Sequence, residues 1–457
     1  MQYLTTWDLI LAPIYLLVLG LIAKRHRDKK YPKGHPLHAY YLPGLWVKFG
    51  GAIFIALIYQ FYYGFGDTFN YFAHSQIINS ALNDSVSNWW QLLNRAPVDQ
   101  NPELYKYTSQ MFWYEDQSSY IVAVIGAILG LLNGTTYIPI ALLFAYLAYT
   151  GIWAMFKTFA NMYPTHQKQL AIAFLFIPST FVWGSAVFKD TVCMFGLGWM
   201  VYSAFRIFIN RDFSIKNFLL LAFSFYIIAI TKLYILLSFL PAIVLWIMLT
   251  YSHRIRSSAI RFIARIAVVI LVAVAFLVFS QQFSNELNKY SLENISKTAE
   301  TTRTYIGAVS DREGGSSYDL GEFDGSIQSM LLKFPAAVVV TLFRPFPWEA
   351  GKVIVFLSTI EALIFLYFTL SVFIRNGIFK SFKWIGRDPN LLFCLIFSLI
   401  FAFAVGITSY NFGALSRYKI PCLPFYAAFL IILYYKKAPR PKRIMPGKRA
   451  VEVPVGT

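Results

Sequence analysis

Long apolar runs separated by short polar stretches recur from one end of this chain to the other. A helix needs about 20 mostly apolar residues to cross the hydrocarbon core of a bilayer. Runs of that kind predict spans near 8–23, 47–66, 137–156, 169–187, 191–209, 217–231, 233–250, 266–281, 352–374, 390–408 and 419–435. Two shorter apolar stretches, 120–133 and 330–343, are flanked by Gly or Pro and read as re-entrant or interface-lying helices. The expected fold class is all-α: a polytopic transmembrane bundle of about eleven spans plus those two shorter helices.

The basic residues orient the bundle. KRHRDKKYPK (24–33), HRIRSSAIRFIAR (253–265), RNGIFKSFKWIGR (375–387) and KKAPRPKRIMPGKR (436–449) fall on one side of an eleven-span chain, and the positive-inside rule makes that side cytoplasmic. The N-terminus is then outside and the C-terminus inside. Two long hydrophilic loops, 67–118 and 282–329, become external and hold 14 of the 22 acids, in agreement with that orientation. The expected organisation is a single membrane domain over 1–435 and a basic, disordered cytoplasmic tail over 436–457. The opening MQYLTTWD has no positive n-region or cleavage site, so the first run is expected to be retained.

Composition narrows the function. With 57% hydrophobic and only 14% charged residues, the chain lacks the polar surface of a soluble enzyme or a nucleic-acid-binding protein. Its net charge of +18 reads as topology plus attraction to anionic lipid headgroups, not as an affinity for nucleic acid. Cys193, Cys394 and Cys422 all lie inside apolar runs, which indicates neither a disulfide framework nor a metal site. No cofactor is called for, and nothing in the residue pattern asks for a divalent cation.

Charged groups at membrane depth are costly and mark functional sites. Five clusters fall at external span ends. In GDTFNYFAHSQ (66–76), Asp67, Tyr71 and His74 share one face if the segment is helical. One span ends in Lys189-Asp190, and Lys232 stands alone between two apolar runs. LFRPFPWE (342–349) carries Arg344, Trp348 and Glu349 on a proline-broken backbone, and SRYKIP (416–421) places Arg417 and Lys419 at the mouth of the last span. Plainer readings are a helix cap at Asp67, a local Lys189–Asp190 ion pair, and snorkelling cations at Lys232, Arg417 and Lys419. Glu361 lies inside a span and is expected to hydrogen-bond a neighbouring helix.

Three features resemble the polyprenyl-phosphate-dependent membrane glycosyltransferases of the GT-C superfamily, nearest to its mannosyltransferase-like branch. They are the acid that opens the first long loop in GDTFNYFAHSQ, the series Pro178, Ser179, Trp183 and Asp190, and the RYKIPCLPF segment (417–425) that opens a late span. The resemblance implies transfer of a sugar from a polyprenyl-phosphate donor to an acceptor on the outer face. It assigns catalytic roles to Asp67 and Asp190, and substrate binding to Tyr71, His74, Lys189, Arg344, Trp348, Glu349, Arg417 and Lys419. Two departures stand out: an extra span precedes Asp67, and Lys-Asp stands where a lone acid is usual. LFRPFPWE and NFGALSRYKIP (411–421) are also similar to O-antigen and exopolysaccharide polymerases or ligases, which would put Arg344 and Arg417 on a glycolipid pyrophosphate. A transporter or assembly factor is the non-enzymatic alternative. Short loops and the lack of a signal peptide point to a bacterial inner membrane.

Overall fold

The protein is helical throughout in a computed structural model that describes residues 3–252, 316–321 and 327–436, with isolated positions between them. The expected span 266–281, most of the loop 282–329 and nearly all of the tail 436–457 lie outside the described residues. Among those described, no strand forms; one isolated bridge pairs Ser317 with Asn411.

Among the described residues, seven helices are long and apolar enough to cross a membrane, or eight if one bent pair is counted as a single span. In chain order the first are α1 (Thr6–Lys30), α2 (His38–Ile58), α3 (Asp67–Ser80), α4 (Val86–Leu93), α5 (Tyr105–Thr108), α6 (Gln117–Gly130), α7 (Tyr137–Met162) and α8 (Gln167–Leu175). They are followed by α9 (Pro178–Trp183), α10 (Lys189–Ala204), α11 (Ile215–Ser252), α12 (Ile327–Leu332) and α13 (Phe334–Phe343). The last are α14 (Val353–Asn376), α15 (Ile378–Ile385), α16 (Pro389–Ser409), α17 (Phe412–Tyr418) and α18 (Leu423–Tyr435). Length and apolarity make this an integral membrane bundle.

Three segments depart from simple spans, each for a local reason. The run 169–187 is two helices, because Pro178 opens α9 and an extended Ile177 precedes it. The helix of the last run, 419–435, starts only at Leu423, after a turn over 419–422 that holds Pro421, and is bent by 69° from α17. α11 breaks at Lys232, whose φ of −146° and ψ of 80° are not helical. Its halves fold back along α10. Phe223 meets Phe195, Trp246 stacks on Phe205, and Lys232 lies at Asp190. Residues 223 and 246 would be about 35 Å apart on a straight helix, yet their partners are about 15 Å apart on α10. Only a reversal at Lys232 reconciles the two distances.

The core is aromatic and tightly closed. α7 and α10 approach until a Cβ on Gly198 would lie 2.0 Å from the Gly151 carbonyl oxygen, so glycine is required at that crossing. Polar contacts sort the helix ends into two sets. Asp8 accepts the Ile138 N–H at 2.7 Å, and Thr68 bonds the Tyr137 hydroxyl at 2.6 Å. At the opposite ends, Trp153 donates to the Tyr31 hydroxyl, while Trp246 and Asn390 link with Tyr163. The sequence clusters at Asp67, Lys189-Asp190, Lys232 and Arg417 belong to the first set.

Candidate functional site

The backbone before α3 is shaped to present Asp67. A π-helical turn over Tyr59–Tyr63 ends at Gly64, with φ +76°, and Gly66 follows with φ +144°. A side chain at Gly66 would be strained there, and its Cβ would lie 2.3 Å from the Tyr59 ring. Asp67 then begins α3, where a carboxylate suits the positive end of the helix dipole.

Arg417 arrives from α17 and joins two acids far apart in sequence. Its Nη1 donates to Asp67 Oδ2 at 2.8 Å, and its Nε donates to Asp190 Oδ2 at 2.6 Å. The other oxygen of Asp190, Oδ1, accepts from Lys232 Nζ at 2.5 Å. The guanidinium also lies 4.1 Å from the centroid of the Phe188 ring, a cation–π contact. Two acids and two cations make the cluster formally neutral, which offsets the cost of burying them. Exposure is unequal: the side chain of Asp190 is 1% exposed, that of Arg417 11%, and that of Asp67 42%. Asp67 is the most exposed member. Arg417 Nη2 has no protein partner among the described residues.

The remaining sequence candidates are distributed around this core. Lys189 does not pair with Asp190. Its Nζ donates to the Ser118 hydroxyl at 2.6 Å and to Asp116 at 3.3 Å. Asp116 caps α6 and takes hydrogen bonds from Ser118 and Ser119. Burial raises its pKa, but those two serines and Lys189 outweigh it and hold the carboxyl at about 2. Tyr71 packs 4.7 Å from the Trp113 ring, and His74 lies edge-on to Phe112 and Trp113 with neither ring nitrogen hydrogen-bonded among the described residues. Burial drives the His74 pKa down to about 4, so the ring is neutral near pH 7.

Arg344 is already paired. Its Nε donates to both Glu349 oxygens at 3.1 Å, and its guanidinium lies 5.4 Å from the ring of Phe412, on the same helix as Arg417. Glu349 also accepts the Phe346 N–H, while Trp348 is exposed and stacks on Phe346. Lys419 does not join Arg417. It is wholly buried, its Nζ has no hydrogen-bond partner among the described residues, and its nearest opposite charge is Glu361. Glu361 bonds a neighbouring helix by accepting the Ser179 N–H at 2.8 Å.

Three members were not singled out as site residues by sequence. Lys232 signalled itself only as a lone cation between apolar runs. Lys48 is buried and donates to the carbonyls of Gly184 and Thr180 at 2.6 and 3.2 Å, bracing the segment that leads to Asp190. Asp116 was visible only as one of many loop acids. Among the described residues, no group of three His, Cys, Asp or Glu side chains gathers to hold a metal ion. No family model matches the chain, and neither a curated protein nor a solved structure matches it.

Proposed function

We propose that the protein is an integral membrane glycosyltransferase that moves a sugar from a polyprenyl-phosphate donor to an acceptor at the outer face of a bacterial inner membrane. In this reading the chain crosses about eleven times, with its N-terminus outside and its tail in the cytoplasm. One observation carries the assignment of roles: a half-exposed carboxylate, Asp67, is tied by Arg417 to a buried acid–lysine pair at one end of the bundle.

Asp67 acts as general base. It accepts the proton of an acceptor hydroxyl as that oxygen attacks the anomeric carbon of the donor sugar. The bond from the anomeric carbon to the phosphate oxygen breaks, and the electron pair leaves with the polyprenyl phosphate. Arg417 holds the departing phosphate through Nη2, which has no partner among the described residues, a charge-assisted contact in a poorly hydrated place. Asp67 then returns its proton to water. Asp190, enclosed by Lys232 and Arg417, is a positioning residue that fixes the guanidinium. Tyr71 and His74 border the acceptor side, and anionic membrane lipids are the surrounding partners.

A second reading, a lipid-linked polysaccharide polymerase or ligase, is favoured by the placement of Arg344 against the helix that carries Arg417. The two separate on purified protein assayed with polyprenyl-phosphate sugars and with pyrophosphate-linked oligosaccharides. In the transferase, Asp67→Asn lowers turnover by about 10²–10⁴-fold, the usual worth of acid–base catalysis, and leaves donor binding in place. In the polymerase, Arg344 and Arg417 are essential and Asp67 is replaceable. A wild-type protein that binds and consumes neither donor sinks both readings.

A further inference from the structure

Beside the charged cluster runs an apolar groove of about 940 Å³, walled by α2, the broken α8–α9 segment, α14 and α18. Its α14 wall extends from Ile354 to Phe368, about 21 Å along a helix and roughly two-thirds of the hydrocarbon thickness of a bilayer. Leu357, Ile360, Ile364 and Phe368 line it and are each about half exposed, so the groove opens sideways toward lipid. Glu361 is its one acidic wall residue among those described; one carboxylate oxygen accepts the Ser179 N–H, and the other has no hydrogen-bond partner among the described residues.

Two adjacent glycines on α2 explain how the groove stays open. A Cβ on Gly51 would lie 2.2 Å from the Phe181 carbonyl oxygen, so glycine is needed there for α2 to meet α9. A Cβ on Gly50 would meet nothing within 4 Å. Nothing in the packing requires glycine at 50, and in a helix it costs about 0.5–1 kcal/mol relative to Ala. What its missing side chain leaves is groove volume.

Two packed aromatic rings stand between the groove and the charges. Trp183 lines it, the Trp183 ring lies 6.3 Å from that of Phe188, and Phe188 lies beneath the Arg417 guanidinium. We propose that this groove is the track for the single hydrocarbon chain of a phosphate-headed lipid whose head reaches Arg417, with Gly50 as the residue that keeps the track open. Hydrocarbon fits the apolar walls, and phosphate fits the Arg417 nitrogen that has no partner among the described residues. A partner's transmembrane helix would cover the same apolar walls but would bring no anion to Arg417. The inference rests on the transferase reading and places that donor's chain.

The test uses the full-length protein in vesicles and a polyprenyl phosphate with a diazirine in its chain. Wild type is expected to be labelled within 50–54 or 354–368. Gly50→Phe is expected to cut labelling at least tenfold and to raise KM for a polyprenyl-phosphate donor much more than it lowers kcat. Ile364→Trp, which faces lipid, serves if Gly50→Phe does not fold. Leu17→Phe, an exposed position on α1, should leave labelling as in wild type. Full labelling of both groove variants overturns the track, as does equal labelling by a phosphatidic acid with a diazirine-bearing acyl chain. A wild type that binds no polyprenyl phosphate at all overturns the function itself, whereas Asp67→Asn that is labelled but inactive supports both.

Discussion

Replacing Asp190 by Asn tests whether the cluster is held together as the geometry states. The Asp190 carboxylate is almost wholly enclosed and is shared by Lys232 at 2.5 Å and Arg417 at 2.6 Å. Asn keeps the shape and removes the charge, leaving two buried cations with only the half-exposed Asp67 to balance them. Breaking a buried pair from one side costs about 3–5 kcal/mol, because the surviving charge is stranded. That is a shift of roughly 10²–10⁴-fold in the folded-to-unfolded ratio. Asp67→Asn removes one hydrogen bond from a half-exposed carboxylate, and about 1 kcal/mol is expected. Unfolding followed by tryptophan fluorescence in detergent should therefore separate the two variants by several kcal/mol. Asp190→Asn combined with Lys232→Met removes both members of one pair and leaves Arg417 with Asp67; most of the lost stability should return. The reasoning is refuted if Asp190→Asn is as stable as Asp67→Asn, or if Lys232→Met adds its own loss to that of Asp190→Asn.

Acid should destabilise the protein in two windows. His74 sits at about 4 when folded against 6.5 when unfolded, so the unfolded chain binds more protons between those values and stability falls as pH drops through them. His74→Phe should flatten that part of a plot of melting midpoint against pH. Asp116 is held at about 2, so its contribution is complete above its unfolded value near 3.8 and disappears as pH falls toward 2. In a background lacking Cys193, Cys394 and Cys422, an impermeant maleimide applied to intact cells should label Glu115→Cys but not Phe379→Cys; the reverse pattern inverts the topology. Lys48→Met should cost about 2–3 kcal/mol by leaving the Thr180 and Gly184 carbonyls without their charged donor, and an unchanged midpoint would show that water replaces it.

Hydrophobic patterning exposes the helical membrane class and the approximate extent of most long helices, because hydrocarbon imposes both. It does not reveal where a span is broken. Pro178 marks the start of α9, yet the run 169–187 has enough apolar length to look continuous. Asp67, Asp190 and Arg417 stand out in the sequence because each adjoins an apolar run. Which of them pair does not. Lys189 and Asp190 are neighbours, and successive residues on a helix point in different directions, so Lys189 turns to Asp116 while Asp190 turns inward to Lys232 and Arg417. The same logic separates Arg417 from Lys419: two positions along one turn carry one cation to the acids and bury the other near Glu361. Lys48 was hidden because a single lysine within an apolar helix looks like a span boundary until the carbonyls it caps are known.

Exposure gives the cluster a direction. A transfer between a lipid-borne donor and a water-borne acceptor needs one group accessible from each phase, held in fixed register. Asp67 is the exposed member of the cluster, whereas Arg417 is largely buried over Phe188, two rings away from the apolar groove. Asp190 and Lys232 have almost no access to either phase, and their worth lies in fixing the guanidinium that joins the two. Neutrality makes this placement affordable, since a lone cation at the same depth would be strongly disfavoured. A ligand that binds Arg417 through phosphate places its negative charge beside the most exposed acid of the cluster, and that adjacency of leaving group and base is what the proposed transfer requires.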